Sequence, residues 1–133
     1  TVKCWGYGYY GQLGNGATTY YQYTPVSVSS ISTVTSVSAG DDHTCAVLSG
    51  GTVKCWGYGY YGQLGNGTTT SSQTTPVSVS SISTVTSVSA GENHSCAVLS
   101  GGTIQCWGYG YYGQLGNGTS TTYQSTPVGV SGF

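Results

Sequence analysis

The chain has 133 residues, enough for one ordinary core, and is nearly free of charge: two Lys, no Arg, three acidic residues and a formal net charge of −1. That balance excludes nucleic-acid binding by phosphate neutralisation, which needs several Lys or Arg contacts. Abundant Ser and Thr with so little charge could signal disorder, but regularly placed Trp, Val, Cys and Tyr supply buriable groups that a disordered tract lacks.

One unit repeats along the whole chain. Cys4, Cys55 and Cys106 stand 51 residues apart, as do Trp5, Trp56 and Trp107, and Pro25, Pro76 and Pro127. A period near this length points to solenoids, propellers or arrays, whose units bury an apolar face only against neighbours. No long apolar run offers a membrane span, so no membrane insertion is expected, and no export leader opens the chain. If the protein is secreted, that absence predicts a processed or truncated chain.

In chain order, the first 31 residues carry only the Trp-to-Pro half of the unit. The first complete cycle then begins with a predicted strand from Val34 to Ala39 and a turn at Gly40-Asp41-Asp42. A second strand runs from His43 to Leu48 and a third from Thr52 to Trp56, separated by Ser49-Gly50-Gly51. A Gly-containing three-residue loop between short strands makes a β-hairpin. Centring it on Gly50 pairs Leu48 with Thr52, Val47 with Val53 and Cys45 with Cys55. Opposed cysteines at a non-hydrogen-bonded position have Cα atoms about 4.5 Å apart, at the short end of disulfide geometry. Cys96 and Cys106 repeat the spacing. Two disulfides are therefore expected, and with them a secreted, cell-surface or other extracellular setting; the competing reading is buried free thiols. Cys4 is left unpaired or available to another chain, because its partner would stand about ten residues before it.

After the hairpin, Gly62-Gln63-Leu64-Gly65-Asn66-Gly67 forms a tight bend whose Asn-Gly step suits positive φ. A Ser/Thr loop over residues 68–75 leads through Pro76 into a short segment, Val77-Ser78-Val79. Proline there favours an edge or a strand start. Alternation is imperfect from Val85 to Val88, so strand ends are least defined there. Nothing shows helical periodicity.

Four short strands per unit fit a propeller blade. The run Gly40-x-x-His43-Thr44-Cys45-Ala46-Val47-Leu48, then Gly51-Thr52-Val53-x-Cys55-Trp56-Gly57, Gly62-Gln63-Leu64-Gly65-Asn66-Gly67 and Thr75-Pro76-Val77, resembles the regulator of chromosome condensation repeat. It is most similar to the bacterial, extracellular, cysteine-bearing form, and the resemblance covers essentially the whole chain. It implies an all-β fold of four-stranded antiparallel propeller blades, about two and a half of them here. The expected organisation is a single repeat array over 1–133: a half blade at 1–31 and full repeats at 32–82 and 83–133, the last ending in a half blade. Two and a half blades cannot close a ring, and a free blade edge invites another strand. Self-association or further repeats of the same protein are the expected partners.

No residue set calls for catalysis. His43 and His94 follow Asp41-Asp42 and Glu92-Asn93, which could suggest acid–base work or a metal ligand. One copy per blade argues for a structural role, and the resemblance implies that this His braces the blade turn. Trp5, Trp56 and Trp107 are likewise structural. Zinc is not expected, since no CxxC spacing or paired His supports a tetrahedral site, and no cofactor is expected. The Gly-rich bends lack the Lys-Ser/Thr ending and following helix of a phosphate loop.

The tyrosines are the open feature. Tyr7, Tyr9 and Tyr10 recur as Tyr58, Tyr60, Tyr61 and as Tyr109, Tyr111, Tyr112, with Tyr20, Tyr21, Tyr23 and Tyr123 in the loops. Tyrosine gives large contact area at low entropy cost, so these residues are read as a subunit interface or, alternatively, a platform stacking on a glycan. Asn66, Asn93 and Asn117 match the glycosylation sequon, although Asn15-Gly16-Ala17 breaks the series. The function expected is a non-catalytic extracellular assembly module, a part of a surface filament or larger propeller. A carbohydrate- or protein-binding module is the alternative. The resemblance also implies guanine-nucleotide exchange on a small GTPase, which the short loops and scarcity of charge argue against.

Overall fold

A computed structural model describes residues 1–132, and the strands are arranged in three antiparallel sheets. The first sheet pairs β1 (Lys3–Gly8) with β2 (Thr19–Ser27). The second is a four-stranded meander of β3 (Val34–Ala39), β4 (His43–Leu48), β5 (Val53–Gly59) and β6 (Thr70–Ser78). The third repeats it with β7 (Val85–Ala90), β8 (His94–Leu99), β9 (Ile104–Gly108) and β10 (Gln124–Gly129). The half blade thus lies at the amino-terminal end, and the last sheet carries all four strands.

Turn chemistry sets the central hairpins. Leu48 N donates to Thr52 O at 2.9 Å and Gly51 N to Leu48 O at 2.8 Å, and Gly51 takes the positive φ of 76° that closes the turn. Val47 then faces Val53 and Cys45 faces Cys55, the register expected from the turn residues. Both disulfides form, Cys45–Cys55 and Cys96–Cys106, each with Cα atoms 4.1 Å apart. The loose alternation near Val34 and Val85 has a physical cause. In each case a bulge follows the first residue: Val34 pairs with Leu48 but Ser36 with Val47, and Val85 and Ser87 repeat this.

The fourth strand departs from expectation. Residues read as a Ser/Thr loop belong to it, since β6 begins at Thr70 and runs through Pro76. As the edge strand it needs no donor at Pro76. Proline also sits in a wide irregularity: Gln73 pairs with Gly57 and Val77 with Cys55, so β6 spends two extra residues there. Gln73 Nε2 secures the detour by donating to Thr75 O at 3.0 Å and Thr75 Oγ1 at 3.3 Å. Gln22 and Gln124 make the same bonds to Thr24 and Thr126.

The apolar core lies between sheets. Its main cluster joins Cys45, Val47, Val53 and Cys55 of the second sheet to Val85, Ala97 and Trp107 of the third, with Leu64, Val79 and Ile82 bridging from connecting segments. A smaller cluster, Val2, Val28, Ala46 and Trp56, joins the first sheet to the second. β7 packs against both β3 and β4. Each sheet therefore completes its burial only through the next one, as expected of a repeat array.

Candidate functional site: the interlock between blades

The Gln-Leu-Gly bend of each repeat is a plug that enters the following blade. Gln12 O accepts from Trp56 Nε1 at 2.9 Å and from Thr44 Oγ1 at 3.0 Å. One repeat later, Gln63 O accepts from Trp107 Nε1 at 2.9 Å and from Ser95 Oγ at 3.0 Å. The Gln side chains hold the plug: Gln12 Oε1 accepts from Tyr10 N, and its Nε2 reaches Asp42 Oδ1 at 3.3 Å. Gln63 does the same with Tyr61 and Asn93. Glycine is required at the tip. Gly14 and Gly65 have φ of 67° and 69°, and a Cβ there would stand 2.7 Å from Trp56 Nε1 or Trp107 Nε1.

The two sealed indoles contrast with the first. Trp56 and Trp107 are 0% exposed, whereas Trp5 is 64% exposed. Among the described residues no plug covers Trp5, so the three equivalent tryptophans differ in burial. At the other end, the plug Gln114-Leu115-Gly116 meets no indole among the described residues: the atoms nearest a Cβ on Gly116 belong to Val130, at 2.9 Å and beyond. A cleft of about 480 Å³ opens beside Trp5, between Lys3, Cys4 and Leu13 on one side and Val37 and Asp41 on the other. Cys4 is the free cysteine, half-buried, and its burial pushes the thiol pKa up.

His43 lies inside the interlock. Its Nε2 is 2.8 Å from Ser95 Oγ, and Ser95 spends its own proton on Gln63 O. The imidazole therefore donates from Nε2, leaving Nδ1 as a bare acceptor without a partner among the described residues. Burial, with His94 adding to it, lowers the His43 pKa from 6.5 to about 4. His94, whose blade is followed by no other here, is half-buried and its pKa is lowered by desolvation, against the opposing charge of Glu92. A Ser–His pair 52 residues apart was not visible as a motif, and Ser95 is fully buried, leaving no path to a substrate.

This geometry makes the interlock pH-sensitive. The unfolded chain binds a proton at His43 below pH 6.5, while the folded chain resists it until about pH 4. Stability present above pH 6.5 is therefore lost as pH falls between the two values, by about 3 kcal/mol in total. Denaturant midpoints measured at about pH 7.5 and pH 4.5 should differ accordingly, and His43→Gln should flatten the difference. Equal midpoints for the unsubstituted chain would refute the neutral assignment.

The tyrosines form a continuous ribbon. Tyr10 of one repeat contacts Tyr58 of the next with ring centroids 4.8 Å apart, and Tyr61 contacts Tyr109 at 5.0 Å. Within repeats, Tyr7–Tyr9, Tyr58–Tyr60 and Tyr109–Tyr111 stack at 6.3–6.4 Å. Tyr20, Tyr21 and Tyr23 extend the ribbon across the first sheet, and Tyr123 joins it at Tyr60 and Tyr61. Tyr112 is exposed at its far end. Desolvation raises the pKa values of Tyr7, Tyr58 and Tyr109. Asn66 and Asn117 sit on the plug bends, each accepting from the N–H of the Thr two residues on, while Asn93 is engaged by Gln63.

Antiparallel sheets packed one against the next over a shared apolar core and interlocked by a recurring plug define a segment of a β-propeller. Models of the Regulator of chromosome condensation (RCC1) repeat match residues 2–47 and 50–98, and a second model of that repeat matches 34–63 and 85–114. The chain belongs to this repeat family, and its hairpin disulfides fit the cysteine-bearing form. The ultraviolet-B receptor UVR8 of Arabidopsis thaliana is 35% identical over 124 residues, covering 90% of this chain and 28% of the receptor. The probable E3 ubiquitin-protein ligase HERC4 of Homo sapiens is 32% identical over 130 residues, covering 95% of this chain and 12% of the ligase. The fold is shared with human WBSCR16 (TM-score 0.84, 24% identity, 97% of this chain and 33% of that one). It is also shared with Prp20p of Saccharomyces cerevisiae (TM-score 0.83, 20% identity, 97% and 34%). The chain thus spans about a third or less of each of these proteins.

Proposed function

We propose that this chain is a non-catalytic, extracellular building segment of a β-propeller array, and that the open face of its first half blade receives a further repeat of the same kind. The observation that carries this reading is the contrast at equivalent tryptophans, 64% exposed at Trp5 and 0% at Trp56 and Trp107. The missing cover is defined by the interlock itself: a Gln-Leu-Gly plug on Trp5, and on the free edge of β1 a strand whose cysteine faces Cys4. A second copy supplies only the plug half of that cover, through Gln114 and Gly116 beside its buried Leu115, and the cysteine-bearing strand beside β1 comes from a further repeat. Such a contact is head-to-tail, so repeated addition builds a ring or a filament. The two hairpin disulfides support an extracellular setting.

Sedimentation of the purified chain across a wide concentration range tests the assembly. Growing oligomers that are lost in Trp5→Ala, with both disulfides intact, are expected. A monodisperse monomer at every concentration would refute association through this face.

A second reading is favoured by the tyrosine ribbon: a surface for a protein or carbohydrate ligand. Prp20p is described with binding properties to Gsp1p and histones, and a yeast RCC1 structure holds Kap60. Those partners are not carried over; what this chain shares with them is the fold. Ligand binding that disappears in Tyr58→Ala or Tyr109→Ala would favour this reading over assembly alone.

A further inference from the structure

We propose that the ribbon is an oxidative crosslinking site, in which Tyr10 couples to Tyr58 and Tyr61 to Tyr109, so that dityrosine bonds staple successive blades. Three independent observations converge on these pairs. First, they are the shortest ring contacts that cross from one repeat to the next, at 4.8 and 5.0 Å between centroids, against 5.8 and 6.1 Å for Tyr123 with Tyr60 and Tyr61. A bond between the ortho carbons of two phenols holds the ring centres two ring radii and one bond length apart, so little movement is needed. Second, the rings are inclined by 54° and 64°. Two linked phenol rings twist about their joining bond to separate the ortho substituents. The nearly perpendicular neighbours Tyr9–Tyr10, Tyr60–Tyr61 and Tyr111–Tyr112, at 80–86°, fit that twist less well.

Third, competing sinks for an oxidant are scarce. The chain has 13 Tyr and no Met. Four of its cysteines are already in disulfides, and Trp56 and Trp107 are fully buried, so the competing sinks reduce to the half-buried thiol of Cys4 and the exposed indole of Trp5. Methionine and free thiols are the side chains that ordinarily absorb such damage.

The oxidant is hydrogen peroxide acting through a haem peroxidase. Each phenol gives up one electron and its hydroxyl proton. The two phenoxyl radicals then join through a new carbon–carbon bond at their ortho positions. The hydrogens on those carbons move to the oxygens and restore both phenols. One peroxide takes the two electrons and two protons and leaves as two waters.

The test treats dilute, folded protein with a haem peroxidase and limiting hydrogen peroxide, isolates the monomeric fraction, and digests it for mass spectrometry. Joined peptides two hydrogens lighter than their sum, carrying Tyr10 with Tyr58 and Tyr61 with Tyr109, are expected. So is a higher unfolding midpoint for the crosslinked monomer. Tyr58→Phe with Tyr109→Phe keeps the packing and should abolish both products and the rise in midpoint. The pair Tyr9–Tyr20, at 4.9 Å but within the half blade, survives in that variant as an internal control for oxidation. Absence of the two interblade products from the wild-type monomer, or coupling confined to the outlying rings of Tyr23 and Tyr112, would overturn the proposal.

Discussion

Trp56→Ala is expected to lower the unfolding free energy by about 4 kcal/mol, whereas Trp5→Ala should cost less than about 1 kcal/mol. The two residues occupy the same place in the repeat, so strand propensity and neighbouring sequence are nearly equal. They differ in what covers them. Trp56 is fully buried in the cluster with Val2, Val28 and Ala46, and its indole N–H is spent on Gln12 O. Removing it leaves a large cavity and takes one of the two donors from Gln12 O, which keeps only Thr44 Oγ1. Trp5 has no plug above it and already meets water over most of its surface. Trp107→Ala, with its bond to Gln63 O, should repeat the Trp56 result at the next boundary. Denaturant unfolding of the three variants decides the matter. Equal losses at Trp5 and Trp56 would mean that the first half blade is covered in solution, against the exposed face on which the assembly reading rests.

Reduction of both disulfides should be the other large effect. Each bridge spans ten residues, and on the chain-entropy model closing so small a loop contributes about 2–3 kcal/mol. Together they contribute about 5 kcal/mol, comparable with the whole stability of many small domains. Replacing Cys45 and Cys55 together by serine should show half of this. The order of reduction should follow burial. Cys45 and Cys55 are sealed between sheets, whereas Cys96 is only half-buried, with no further sheet packed over it among the described residues. Under limiting reductant and native conditions, thiol labelling should appear at Cys96 and Cys106 first. Simultaneous labelling of all four, or unchanged unfolding curves after full reduction, would contradict this picture.

What was legible from sequence is what short-range chemistry governs. The period is read from the 51-residue spacing alone, and the strands Val34–Ala39 and His43–Leu48, the Gly50-centred turn and the resulting cysteine pairing all depend on groups within about ten residues of one another. Alternation and turn geometry specify such features wherever the segment lies. The end of the outer strand at Val77 and Ser78 was legible, but its first part was not, because Ser and Thr at residues 70–75 carry no alternating apolar signal. Their strand state comes from pairing with β5 and from the Gln73 bonds that accommodate Pro76. The Gln-Leu-Gly bends could be seen as tight turns but not as plugs.

By itself, the sequence determined the repeat, the all-β character, the hairpin register and the disulfide partners. Tertiary structure alone decided which tryptophans are sealed, that His43 meets Ser95, and that the tyrosines run as one ribbon across three sheets. Each of these depends on groups a repeat or so apart in the chain, from 32 residues for Thr44 and Gln12 to 52 for His43 and Ser95. Such groups meet only once one blade has packed at a definite angle on the next. Identical local sequences therefore end in different environments, as Trp5 and Trp56 do, because burial is a property of the neighbour and not of the residue.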